Sequence, residues 1–567
     1  MLQGLVVCVF GAFLAVTGDA ASAGPGACDY RTIDIDQFGK KPFVNPPEIK
    51  PSNHVLSTTL QVLYSDPARI SLAGCPLHLR TYNGQLVGPT LRVRPGDTMD
   101  IALANELPVE SPDQIARNFE QEAKNAHLGQ FPASYNTTNL HTHGLHVSPS
   151  GNSDNVLLMI LPGTTFPYEI KVPSNHPSGT FWYHAHAHGS TSIQVGSGMA
   201  GALILDDDPA KIPPALAAAN TNEKVMVLQT LLYNTKGELN QITALFPGGA
   251  CAGEDQTWEC SKRVVTINGE ITPVITMRPG EVQRWRLIDS AFRESFDLRL
   301  EGHALNEIAL DGLYLGRVDS WPAGQTVSLQ PGYRSDVLVK ASMTPGTYNL
   351  VNGALSATKA LRAVAQPEQV IAILKVQGEP MDMKLPTSAE MAALAPFPGT
   401  DLRKTAIGVQ QLTFKLGQDN ASGTKQRNYF QVNFEAFDHE RVRKVVLNQT
   451  DQWTLTTTGD PTSVANGIPP LPHVFHIHVN PFQVIRRDPS GNDELVWKDT
   501  ILVPPTGADG KGPPPQVNIW THYTDYVGQF VLHCHILDHE DLGMMEVVEV
   551  VEPEAVNMRF RMNMHSH

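Results

Sequence analysis

Four histidine clusters stand out in this 567-residue sequence. They are His141-Thr-His143, then His184-Ala-His186 with His188 beyond it, then His473-Val-Phe-His476-Ile-His478, and last His533-Cys534-His535, followed by His539 and Met544. Imidazole and thiolate suit soft and borderline transition metals. A lone His-x-His in a β-protein is usually structural. Four clusters, one with a cysteine inside it, form a metal-binding pattern. Closed zinc sites take four ligands, and this set is too large and too rich in histidine for one or two of them. A single cysteine does not suit an iron–sulfur cluster. One thiolate, two histidines and a distant methionine are the blue-copper ligand set. Cys534, His473, His539 and Met544 can therefore form one copper site.

The spacing says which elements must carry these groups. On a strand, residues i and i+2 face the same side. Each His-x-His then aims two imidazoles at one face. His533 and His535 point one way and Cys534 the other, so one strand end serves two sites joined by three consecutive residues. The composition agrees with strands. Gly (45) and Pro (43) are abundant and only 17% of residues are charged, which favours turn-rich β structure over helix bundles. Segments 89–99, 164–172, 179–183 and 547–551 read as strands, and 113–126 and 389–394 as the better helix candidates.

A repeat turns the length into a domain count. Arg94-Pro95-Gly96-Asp97 recurs as Arg278-Pro279-Gly280-Glu281, with Asn448-Gln449-Thr450-Asp451 as a degenerate third copy. A Gly-x-aromatic strand start occurs at Gly179, Gly346 and Gly528. Three similar β-domains are expected, at 50–208, 222–378 and 411–553, with a linker at 379–410 and a Met/His-containing tail at 554–567. Superposing the repeats sets His184 and His186 on His533 and His535, with Ala185 where Cys534 stands. His141 and His143 match His476 and His478, and Thr138 matches His473. Domain 2 has Val351 and Gly353 at matching positions, and Leu298 and Leu300 are expected as the other two. It should bind no metal, so a cluster built from both sets of histidines must lie between domains 1 and 3.

The net charge of −15 argues against a general phosphate-binding or nucleic-acid surface. Residues 4–16 are apolar and precede Ala21-Ser22-Ala23, the pattern of a secretory signal peptide over 1–23. The expected location is periplasmic or extracellular, without a membrane span. Of six cysteines, Cys8 leaves with the leader. Cys251 and Cys260 lie close together in a Gly-rich loop and are expected to pair. Cys28 and Cys75 remain as the second pair, and Cys534 stays unpaired.

The motifs, above all HCHILDHEDLGMM at 533–545, resemble those of the multicopper oxidases, the family of laccases, ascorbate oxidases and cuprous oxidases. The resemblance spans nearly the whole chain after the leader, with all four motifs in family order. It implies three cupredoxin-like Greek-key β-sandwich domains and four coppers. Type 1 copper would take His473, Cys534, His539 and Met544. Type 2 would take His141 and His476. The type 3 pair would take His143, His184, His186, His478, His533 and His535. The implied reaction passes electrons singly from a reducing substrate through Cys534 to the trinuclear cluster, where dioxygen becomes water. By the same resemblance Glu540 is a candidate proton donor, and Asp154 a second, acting through water near the type 2 copper.

A laccase-like substrate, a phenol or aromatic amine, is the leading expectation, with Cu(I), Fe(II) or Mn(II) as the alternative. Met381, Met383 and Met391 in the linker are a thin version of the Met-rich insert that cuprous oxidases can carry. A non-catalytic copper-storage protein is disfavoured because no ligand position is missing. The sequence leaves the oligomeric state open.

Overall fold

The computed structural model describes residues 40–66, 70–72, 75–116, 134–233, 237–239, 264–361, 365–419, 427–459, 470–505 and 513–553. The leader, the C-terminal tail, Cys28, Cys251 and Cys260 lie outside them, and with these cysteines both expected disulfides. Cys75 is buried in a two-stranded ladder.

Strands dominate, in six sheets of four to six strands and that small ladder. They stack in pairs as three β-sandwiches. In the first, a five-stranded sheet ends on Ala200–Leu205, Gly179–His184 and His141–His143. Its partner contains Val55–Tyr64 and Thr98–Asn105. The alternating burial of Thr98–Asn105 is the period-2 pattern of a strand with one face in a core. That core is one apolar cluster drawing on both sheets, including Leu60, Leu103, Phe181 and Leu203. The second and third sandwiches each pair a six-stranded with a five-stranded sheet. Their apolar clusters run together, Trp285 and Trp453 belonging to one buried set.

The sequence repeat has a geometric basis. Asp97 Oδ2 accepts the Arg94 N–H at 2.8 Å and Glu281 Oε2 accepts the Arg278 N–H at 2.7 Å, closing the same turn twice. Gly96 and Gly280 hold left-handed φ values of 93° and 73° there, which glycine adopts without strain. In domain 3 the left-handed residue is Asn448, at 63°, in the turn Val446–Gln449. The third copy is thus Val446-Leu447-Asn448-Gln449, two residues before the expected Asn448–Asp451. The positive φ, not the acidic residue, defines the turn.

Two connecting segments do more than connect. Lys40, Lys41 and Phe43 hydrogen-bond to Thr272 and Val274 of domain 2, while Glu48–Ile49 pairs with Thr90–Leu91 of domain 1. The expected helix at 389–394 appears as Ser388–Met391 continued by a 3-10 turn, Ala392–Leu394. Thr387 and Glu390 form a reciprocal capping box at its start. Met391 is fully buried against domain 2, and Met383 packs there with its sulfur accepting the Val282 N–H at 3.4 Å. These two methionines are packing groups, not a free metal-binding insert. Of the expected helix at 113–126, residues up to 116 are described and helical. No helix among the described residues is long and apolar enough to cross a membrane.

Candidate metal centre

Strand register decides where each ligand points. In domain 3, His473–Ile477 pairs with Gly528–Cys534, setting His476 opposite His533 and Phe475 opposite Cys534. Opposed residues of an antiparallel pair share a face. His476 and His533 therefore lie on one face, and Phe475, His473 and Cys534 on the other. The second face is the sandwich interior, where Cys534 and Met544 belong to the apolar core. In domain 1 the same register sets His141 opposite His184, and Ala185 is core. In domain 2 it sets Val351 opposite Arg299. The counterparts of His476 and His478 are therefore Arg299 and Glu301, not Leu298 and Leu300. The expected pair is one residue out of register, which places it on the wrong face of the strand.

The interior site of domain 3 is compact. Cys534 Sγ lies 3.5 Å from His473 Nδ1 and 3.8 Å from His539 Nδ1, and the two nitrogens are 3.2 Å apart. All three groups are fully buried. The backbone draws Met544 into the same loop: its carbonyl accepts the Cys534 N–H, and its N–H donates to the His539 carbonyl. Burial pushes the Cys534 thiol up to about 12 and the His473 imidazole down to about 3. The pocket thus disfavours charge until a cation arrives, and a coordinated thiol is deprotonated outright.

The second site lies between domains 1 and 3. His186 Nε2 and His478 Nε2 are 3.1 and 3.4 Å from His533 Nε2, and His143 Nδ1 is 3.2 Å from His535 Nε2. His141, His184 and His476 complete the group, with ring centroids 5.3 Å apart for His141 and His184. Metal–imidazole bonds of about 2.0 Å at tetrahedral angles put ligand nitrogens about 3.3 Å apart, which matches this spacing. Nε2 of His141, His184 and His476 is buried without a hydrogen-bond partner. Buried polar atoms are normally paired, so these three atoms are placed to coordinate a cation. Burial, with the neighbouring imidazoles, holds His141, His478, His533 and His535 well below the usual histidine range. They are neutral and ready to coordinate. The donor set fits copper at both sites.

The surrounding hydrogen bonds orient the rings. His141 Nδ1 donates to Asp154 Oδ2 at 3.0 Å, and Asp154 Oδ1 also accepts the Thr142 N–H. Asp154 touches His141 directly. Burial raises it to about 7. Glu540 is fully buried, with Oε1 3.8 Å from Nδ1 of both His186 and His188, and Oε2 has no partner. Burial, then the charge of Asp541, raises it well above the usual carboxylate range. His188 is buried beside Phe437. Trp182 stacks on His184 at 4.3 Å.

Several residues of the site were not singled out from the sequence. Asp541 accepts N–H bonds from Gly189, Thr191 and Ser192, bolting domain 3 to the loop after His186. Asp499 accepts from His143 and His476. Arg293 of domain 2 bonds Asp538, beside His539, at 2.7 Å. Asp541 sits within the HCHILDHEDLGMM motif and could have been read there. A lone Asp499 has no spacing signature.

Comparison with known proteins agrees with this geometry. Three family profiles, each described as multicopper oxidase, match residues 125–210, 216–379 and 404–554. The multicopper oxidase mco of Staphylococcus aureus is 26% identical over 482 residues, covering 83% of each chain. Laccase-2 of Trametes versicolor is 27% identical over 470 residues, covering 74% of this chain and 81% of its own. The structure of a Campylobacter jejuni multicopper oxidase, described as a metallo-oxidase, superposes with a TM-score of 0.67 at 21% identity, covering 92% of this chain and 97% of that one. With profiles of a single family end to end across most of its length, and cupredoxin-like sandwiches beneath them, the chain belongs to the multicopper oxidases.

Proposed function

We propose that this enzyme is a four-copper oxidase that couples one-electron oxidation of a phenol or aromatic amine to the reduction of dioxygen to water. The observation that carries this reading is the run His533-Cys534-His535. Its thiol lies in the interior site, and its imidazoles lie in the cluster between domains. In this reading His473, Cys534, His539 and Met544 hold type 1 copper. His141 and His476 hold type 2. His143, His184, His186, His478, His533 and His535 hold the type 3 pair. Bound copper would take up electrons one at a time at the first site, and the four coppers together would supply the four electrons that dioxygen reduction needs.

The chain's own groups supply the rest. The backbone through Cys534 is the short covalent route between the sites. Burial excludes water from both. Asp154 holds the Nδ1 proton of His141 and so leaves Nε2 free to ligate. Burial, then the charge of Asp541, favours the protonated form of Glu540, which stands beside His186 as a proton source. In a Glu540→Gln variant, Cys534-site reduction stays normal while oxygen turnover slows. Unchanged turnover would sink the proton-donor role.

A second reading, oxidation of Cu(I), Fe(II) or Mn(II), is favoured by Asp538. This buried carboxylate beside His539 has Oδ1 unpartnered. Packing of Met383 and Met391 against domain 2 disfavours it. Oxygen uptake by the copper-loaded protein with a phenol, Cu(I), Fe(II) and Mn(II) decides between them. A higher kcat/KM for any of the metal ions overturns the organic-substrate reading. We further propose export through residues 1–23, with disulfides Cys251–Cys260 and Cys28–Cys75. The intact mass of the mature protein, before and after reduction, checks both.

A further inference from the structure

Domain 2 contributes no imidazole, yet it reaches the histidine cluster through residues 330–334. Gly332 has a left-handed φ of 88°, and a Cβ there would lie 3.1 Å from His535 Nε2 and 3.2 Å from His143 Cε1. Two residues later, the buried Arg334 guanidinium grips Asp499 of domain 3. Nη1 donates to Oδ1 at 2.8 Å and Nη2 to Oδ2 at 2.5 Å. The remaining donors go to the carbonyls of Gly332, Asp311 and, from domain 1, Thr180. Gly144, next to ligand His143, also has a left-handed φ, and a Cβ there would fall on Arg334 and Asp499. All three domains close around this one ion pair.

Asp499 acts on two ligands in opposite senses. Its Oδ1 accepts from His143 Nε2 at 3.2 Å, and its backbone carbonyl accepts from His476 Nδ1 at 2.8 Å. A neutral imidazole has one N–H, so the nitrogen that donates cannot ligate. His143 must then present Nδ1, and His476 must present Nε2. The cluster geometry requires the same: His143 Nδ1 is the atom facing His535, and His476 Nε2 is buried and unpartnered. Thr500 Oγ1 donates to Asp499 Oδ1 at 2.7 Å and keeps that oxygen in place.

We propose that Arg334 is a positioning residue of the cluster: through Asp499 it fixes opposite tautomers on His143 and His476, so that the ligand-free domain decides how well the cluster between the other two fills. The proposal rests on the four-copper reading. Lysine cannot replace the arginine, because a point charge does not hold both carboxylate oxygens at once.

The test uses the full chain loaded with copper. Arg334→Lys and Asp499→Asn are compared with Arg486→Lys. Arg486 pairs with Glu307 and Asp319 across the domain 2–3 interface, away from the histidine cluster among the described residues. The measurements are copper per chain, the blue band of the Cys534 site, the paramagnetic resonance of the non-blue copper, and Tm of the copper-free protein. Arg334→Lys should weaken cluster copper about 10- to 100-fold, alter the non-blue resonance and spare the blue band. Asp499→Asn should do the same, and it keeps the test alive if Arg334→Lys does not fold. Arg486→Lys should shift Tm alone. Wild-type copper content and resonance in the first two variants overturn the proposal, as does equal copper loss in Arg486→Lys. A wild-type chain that fills no cluster overturns the four-copper reading with it.

Discussion

Domains 2 and 3 run the same strand pair to different ends. In domain 3 the ladder 473–477/528–534 finishes in His533 and Cys534. In domain 2 the ladder 296–300/346–352 puts Val351 and Asn352 at the same places, with Arg299 opposite Val351. Arg299 is not a core residue: it pairs with Glu368 at 2.9 Å. By the same register Phe296 and Asn352, both buried, stand where domain 3 has His473 and Cys534. The sandwich therefore does not depend on metal. Domain 2 fills these positions without a thiol or an imidazole, and domain 3 gathers Cys534, His473 and His539 in its core. Freed from ligation, domain 2 serves the interfaces, through Arg334, Arg293, and the arginines that meet domain 1.

The sharpest separation between the copies comes from Cys534→Ser. The substitution barely changes volume, so the copper-free fold should persist by circular dichroism. The blue band and oxygen uptake should fall to baseline. A surviving blue band would break the comparison at its centre. Next in size, Asp154→Asn should cost about 10- to 100-fold in copper affinity at the cluster, leaving the blue band in place. A titration with a copper chelator reads this. The converse in domain 2 is Leu350→Ala, expected to cost about 2–5 kcal/mol of stability with copper content unchanged. Loss of copper there would show that domain 2 packing and ligation are not separable.

The smallest effect lies at the domain 1–2 interface. Burial alone would raise Glu223, but Arg286 and Arg92 outweigh it and lower it from 4.5 to about 2. A carboxylate depressed by folding stabilises above its unfolded value, and loses that contribution as pH falls towards about 2. The stake is at most about 3 kcal/mol. Between pH 4.5 and 2 the wild type should lose stability faster than Glu223→Gln in denaturant titrations. Parallel curves would remove this interface from the account.

Much of the site was legible because its ligands come in pairs. His-x-His and His-Cys-His announce both metal and strand, since the period of 2 that aims two imidazoles together is the period of the strand itself. The partners of those ligands come singly. Asp499, Arg334 and Asp311 lie far apart in the sequence, and nothing in their local spacing distinguishes them from solvated charges. Register was the other blind spot. Leu298 and Leu300 look like the natural match to His476 and His478, because an apolar pair resembles a strand face. Only the hydrogen-bonded ladder shows that Arg299 holds the place. The third turn is hidden in the sequence for a related reason: an asparagine replaces the glycine at the left-handed position, and the acidic residue lies beyond the turn.

The sequence by itself determined the ligand inventory, the strand class, the threefold repeat and the division of Cys534 from its flanking histidines. Those features are local, fixed by side-chain chemistry and by alternation along one strand. The tertiary structure alone decided that Asp154 touches His141, that Met391 is core with Met383 packed against it, and that Arg334 of domain 2 grips Asp499 beside the histidine cluster. These depend on atoms brought within 3–4 Å by packing between domains. Hydrogen bonds and ligation act only at that range, so no spacing in the chain records them.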